Sequence, residues 1–136
     1  MNHKSINTDY DRLEVHFQKI NDLRHVSAIA GWDEASMMPT GGGEARAQAM
    51  STLDVMIHQL VTEPKVGEWI DGAKAGSSLD DWQAANLREI DRTWREATCM
   101  PEDLVAANSI ARSKCEQAWR LHRGNNDWKA MEPLLA

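Results

Sequence analysis

The sequence predicts an all-α fold, an antiparallel helical bundle of about five to six helices. Three observations predict it. Apolar residues recur at three- and four-residue intervals along most of the chain, the spacing of one helix face. No stretch sustains period-two alternation and Val and Ile do not cluster, so strands are poorly supported. Pro, Gly and Asn interrupt the pattern at helix-length intervals, at Pro39 to Gly43, Gly72 to Ser78, Pro101, and Gly124 to Asn126.

The first helix is expected from about Asp9 to about Trp32, capped by Thr8 or Asp9. Tyr10, Leu13, Phe17, Ile20 and Leu23 or Arg24 follow helical spacing, then the small residues Ser27, Ala28 and Gly31, which admit a neighbouring helix closely. Pro39 and the three glycines that follow end any continuation. The second helix starts near Gly43 or Glu44 and runs to about Leu60, with Ala45, Ala49, Leu53, Met56 or Ile57, and Leu60 as its buried stripe. Thr62 is expected to cap a short third helix with Pro64 in its first turn and Val66, Trp69 and Ile70 facing inward. Gly72, Gly76, Ser77 and Ser78 form the next break.

Ser78 with Asp81 approximates a capping box for a fourth helix, whose stripe reads Leu79, Trp82, Asn86 or Leu87, Ile90, Trp94 and Ala97. A fifth helix restarts at Met100-Pro101, with Glu102 and Asp103 in its first turn. Leu104, Ala107 or Asn108, Ala111, Cys115, Ala118, Trp119 and His122 repeat on one of its faces. Gly124-Asn125-Asn126 stops it, and Asp127 caps a last segment with Trp128, Met131, Leu134 and Leu135. No internal repeat or domain linker is visible, so residues 1–136 read as a single all-helical region. The apolar run Met131 to Ala136 reads as the start of a further element, the pattern of a chain cut before the rest of a longer protein; a short docked terminal helix would look the same.

With 136 residues and 42% hydrophobic residues, the chain can build one real core. Six tryptophans stand against one Phe and one Tyr, and they are expected to pack in the core and between helices. A net charge of −6, spread along the chain, leaves no basic face for nucleic acid. The first eleven residues are polar and lack the apolar stretch of a signal peptide, and no run approaches a membrane span. Cys99 and Cys115 form no C-x-x-C pair. Together these features point to a cytoplasmic protein with no membrane partner.

Chemistry is hard to find. The histidines are His3, His16, His25, His58 and His122; none has a second histidine four residues on, and none precedes a glutamate, so the H-E-x-x-H spacing is absent. His16 and His25 read as surface residues, and His122 sits near a helix C-terminus, where a cationic imidazole is favoured. Ser36, Ser51 and Ser109 lack a G-x-S-x-G setting. Cys115 reads as a buried structural thiol, and Cys99 has no evident base. Gly41-Gly42-Gly43 precedes a helix N-terminus, as an anion site would, but it follows a helix and leads into Glu44, so a tight helix crossing is the better reading. Asp33 and Arg46 flank that turn and are expected to pair bidentately. No catalytic, cofactor-binding or metal-binding residue is assigned.

The order Trp32-Asp33, Met38-Pro39, Gly42, Glu44-Ala45-Arg46 and Gln48 within Gly31 to Leu53 resembles a segment near the N-terminus of the M32 family of metallocarboxypeptidases, the Taq-type group. The likeness continues through Leu60, Val66 and Trp69. It returns in Arg95-Glu96-Ala97-Thr98, Met100-Pro101 and Leu104-Val105, then in Trp119, Asn126-Asp127-Trp128 and Pro133-Leu134-Leu135. Ser36 and Met37 depart slightly from the family's Thr-x-Met-Pro wording. The resemblance implies an N-terminal subdomain of a larger, almost wholly helical enzyme, several times longer and often homodimeric. Such enzymes remove single residues from the C-termini of peptide substrates with zinc or a similar divalent metal. Two histidines and a downstream glutamate hold the metal, and the motif glutamate activates water. Those ligands fall beyond residue 136, so the resemblance implies a region that walls or covers the substrate cleft and is inactive alone. The residues by themselves favour a second class, a free-standing helical binding or regulatory module.

Overall fold

The computed structural model describes residues 8–39, 41–76 and 79–135. Its helices are α1 (Asp9–Ser36), α2 (Gly43–Val61), α3 (Pro64–Gly76), α4 (Asp81–Thr98), α5 (Glu102–Arg123) and α6 (Trp128–Met131), followed by a 3₁₀ turn over Glu132–Leu134. No strand occurs among the described residues. The expected all-α class and the order of its elements hold, and α1 runs four residues past Trp32. Contacts divide the chain into two compact units. One comprises the described residues up to Arg24 with Ile57–Pro101, and the other His25–Met56 with the chain from Glu102 onward.

The first unit holds the apolar core. Tyr10, Leu13, Phe17 and Ile20 of α1 pack with Val61, Val66, Ile70, Ala73, Leu87 and Ile90, as their spacing predicts. Leu13, Ile20 and Val66 are wholly inaccessible, so each contributes on the order of 1.5–3 kcal/mol from burial. Thr8 caps α1 reciprocally with Asp11. The Asp11 amide donates to Thr8 Oγ1 at 3.1 Å, and the Thr8 amide donates to Asp11 Oδ2 at 3.2 Å. Where α3 meets α4, a Cβ on Gly67 would stand 2.8 Å from Trp94 Cζ2, so only glycine lets the indole lie there.

Several local expectations change. The fourth helix is capped by Asp80, not Ser78. Asp80 Oδ1 accepts from the Gln83 amide at 2.8 Å, and Gln83 Oε1 accepts from the Asp80 amide at 3.0 Å. Ser77 and Ser78 lie outside the described residues. Thr62 does not cap α3; its hydroxyl donates back to the His58 carbonyl at 2.9 Å, closing α2. Gly72 lies inside α3 rather than in the break. His16 is buried, not on the surface. Its Nε2 lies 2.8 Å from the Leu60 carbonyl, so that nitrogen carries the hydrogen, and its ring stands edge-on to Trp69 with centroids 5.7 Å apart. The last carbonyls of a helix have no partner within it, and His16 supplies one. Hydropathy cannot see that need.

The second unit departs further. Ala45 and Ala49 of the expected α2 stripe are exposed, as is Met56, whereas Ala47 and Ser51 are buried; the alternative Ile57 and Leu60 pack against the first unit's core. On α5, Leu104, Ala111 and Trp119 are exposed, while Ser109 and Ser113 are buried. Periodicity selects the most apolar face, but these helices meet through small and polar residues. The tryptophans follow suit. Trp69 and Trp94 pack against the first unit's core, but Trp32, Trp82, Trp119 and Trp128 are exposed, Trp82 by 86%. At 100° per residue, Trp82 lies on the flank of α4, off the face formed by Leu87, Ile90 and Trp94.

Candidate functional site

Within the second unit, the end of α1, the start of α2 and the middle of α5 are joined by a polar network. Glu34 is buried, and its Oε1 accepts from Ser113 Oγ at 2.6 Å and Gln117 Nε2 at 3.2 Å. The Gln117 amide also lies 3.0 Å from Ser113 Oγ and 3.3 Å from the Gly43 carbonyl. A Cβ on Gly43 would meet Gln117 Oε1 at 2.1 Å, so glycine there leaves room for the amide that bridges the helices. Arg120 Nη1 donates at 2.6 Å to the Glu34 carbonyl, one of the unpaired carbonyls at the end of α1.

The expected Asp33–Arg46 pair forms, but it is not bidentate. Arg46 Nη2 donates to Asp33 Oδ2 at 2.5 Å, and Nη1 donates to the Ala30 carbonyl at 2.8 Å. The guanidinium fork therefore ties α2 to both the side chain and the backbone of α1. Farther along the same helices, Ser109 Oγ donates to Asp54 Oδ2 at 2.6 Å and Ser51 Oγ to the Ala106 carbonyl at 3.3 Å. Among the described residues, no buried side-chain polar atom lacks a partner.

A network so fully paired positions helices; it holds no spare group for chemistry. Ser36 donates back to the Trp32 carbonyl at 2.7 Å, and Ser109 has a carboxylate beside it but no base of the catalytic kind. The glycine turn receives the Gln117 side chain rather than opening an anion cradle. Cys99 is exposed, and Cys115 is half-buried rather than buried. His25 is exposed and His58 half-buried, and His3 lies outside the described residues. His122 Nδ1 stands 3.7 Å from Asp127 Oδ2 at the end of α5. Among the described residues, no group of three or more His, Cys, Asp and Glu side chains could hold a metal ion.

Two concavities remain. In the second unit a groove of about 730 Å³ runs between α5 and α6, walled by Cys115, Trp119, His122, Trp128, Met131 and Leu135. In the first, a cavity of about 440 Å³ is lined by Lys74, Leu79, Leu87, Arg88 and Asp91. The hydrogen bond from Lys74 Nζ at 2.8 Å holds the Asp91 carboxyl below the usual carboxylate range. Burial works against this, and Arg95 Nε at 3.0 Å adds to it.

Sequence reasoning found Asp33 and Arg46 and missed Glu34, Ser113 and Gln117. The spacing was present: Ser109, Ser113 and Gln117 recur every fourth residue and share one face of α5.

The family model described as carboxypeptidase Taq (M32) metallopeptidase matches residues 12–136. Thermostable carboxypeptidase 1 of Thermus thermophilus is 33% identical over 116 residues, covering 83% of this chain and 23% of that protein. Among solved structures, Trypanosoma cruzi metallocarboxypeptidase 1 matches with a TM-score of 0.72 and 34% identity, over 93% of this chain and 26% of that one. The Pyrococcus furiosus carboxypeptidase matches with a TM-score of 0.73 and 26% identity, over 95% of this chain and 26% of that one. The chain thus spans about a quarter of the length of the relatives it matches.

Proposed function

The chain belongs to the carboxypeptidase Taq (M32) metallopeptidase family, and from that premise we propose that it is the N-terminal helical region of a metal-dependent carboxypeptidase, without catalytic activity of its own. The whole protein would remove residues from peptide C-termini with a metal-activated water. One observation carries the reading: the match covers residues 12–136, yet this is about a quarter of each relative, and none of its described residues groups into a metal site. The donor set does not fit the family's metal. His16 is committed to the Leu60 carbonyl, and no other described histidine belongs to a group of three or more possible ligands. A homo-oligomeric, cytoplasmic whole protein is part of the proposal. No helix among the described residues is long and apolar enough to cross a membrane.

The test is a peptidase assay on purified residues 1–136 with zinc or cobalt supplied. No release of C-terminal amino acids is expected; metal-dependent release would overturn the reading.

The second reading is a free-standing helical module, for which the exposed Trp32, Trp119 and Trp128 would form binding surface. Limited proteolysis separates the two. Rapid cutting between Gly124 and Ala136 favours the region of a larger enzyme, and a resistant end favours the module.

A further inference from the structure

We propose that the groove between α5 and α6 seats an apolar, carboxylate-bearing segment of the same polypeptide, from the part of the protein outside residues 1–136. The inference rests on the reading of the chain as one region of a longer carboxypeptidase, and names the face that joins it to the remainder.

The second unit buries polar side chains between its helices and exposes several large apolar ones. Glu34, Ser51, Ser109 and Ser113 are buried, while Val26, Ile29, Trp32, Leu121 and Trp128 are more than half exposed. Burial of apolar area is the main driving force for packing, so a unit arranged this way has its largest unspent gain on its outer faces. The groove lies on this outer surface, with Trp119, Trp128 and Leu135 among its lining residues.

Its charges define the occupant. Glu116 is paired with Arg120 at 2.5 Å, and Asp127 accepts from the Ala130 amide at 3.2 Å, so the groove's carboxylates are engaged. Arg112 and Arg123 also line it, are exposed, and have no ion pair among the described residues; the Arg123 guanidinium lies 4.8 Å over the Trp119 ring. Two cations without an ion pair among the described residues, beside aromatic walls, complement a segment with apolar side chains and carboxylates. The chain covers 26% of each solved relative, so about three quarters of a polypeptide of that length is available to supply it.

Cys115, half-buried in the groove, reports occupancy. The native protein from source cells and purified residues 1–136 would be alkylated with iodoacetamide without denaturant. The tryptic peptide Cys115–Arg120 would then be quantified by mass spectrometry. Cys115 is expected to react in the purified chain and at least roughly tenfold more slowly in the longer native protein. Arg112→Glu with Arg123→Glu in the longer protein should restore most of that reactivity, since both side chains are exposed and neither forms an ion pair among the described residues. Equal labelling in the two proteins overturns the proposal. So does a purified chain that is dimeric by light scattering with Cys115 protected, which would make the occupant a second copy. A protected Cys115 in the longer protein that ignores the charge reversal overturns the carboxylate assignment. A native protein of 15.3 kDa fails the underlying reading instead, and is recognised by its mass before any labelling.

Discussion

Glu34 is the residue on which the second unit turns. Its buried carboxylate is answered by Ser113 and Gln117, and its carbonyl by Arg120. Ser113→Ala removes the closer donor and leaves the buried oxygen under-satisfied, which costs about 1–3 kcal/mol. Urea unfolding of purified residues 1–136 should show that loss; a change within about 0.5 kcal/mol would mean that water replaces the hydroxyl freely. Arg46 acts through shape. A lysine keeps the charge but cannot reach the Asp33 carboxylate and the Ala30 carbonyl together. Arg46→Lys should therefore lower the unfolding midpoint, with a stability loss of no more than about 1 kcal/mol because both side chains are partly exposed. An unchanged midpoint would reduce the fork to a surface contact.

At the scale of elements, the helices were legible where one apolar face meets one core. Leu13, Phe17 and Ile20, like Val66 and Ile70, lie where their spacing puts them. Legibility failed where polar groups cross between helices. Serines weigh little in hydropathy, so the stripe that stands out on α5 runs through Leu104 and Ala111, while the Ser109–Ser113 face is the one inside. The caps were legible at Thr8 and Asp127 but not at α4, which Asp80 caps, while Ser78 lies outside the described residues. Asp80→Ala should cost about 1 kcal/mol of stability by removing the capping box, read from the same urea titration; no loss would show that water caps α4 as well.

Between α3 and α4, the Lys74–Asp91–Arg95 cluster sets an acid dependence. The folded carboxyl of Asp91 ionises more readily than in the unfolded chain, so its contribution is complete above the unfolded value. It fades as pH falls through the lower, folded value, below about pH 4. Asp91→Asn should therefore destabilise the protein at pH 7 and lose that effect progressively as pH falls below the ordinary carboxylate range. A stability difference that stays constant from neutral to acid would show that the amide disturbs packing rather than charge.

For the whole molecule, two kinds of interior coexist in one chain. The first unit buries apolar side chains as an ordinary small domain does. The second buries polar ones and turns aromatic residues outward. The family was legible in the sequence because it is carried by order and spacing, from Trp32-Asp33 through Met38-Pro39 to Glu44-Ala45-Arg46, and the match over residues 12–136 bears it out. The exposed tryptophans were not legible, because a large aromatic side chain reads as core whether its partner surface lies in the same stretch of chain or elsewhere. Such faces, on a chain that covers a quarter of its relatives, support the proposal that it is one helical region of a longer protein.

The size of the native protein tests that account most directly. An immunoblot of source-cell extract, with antibody raised against residues 1–136, is predicted to give a band several times larger than 15.3 kDa. A single band at 15.3 kDa would contradict it and leave a self-contained helical protein in search of its partner.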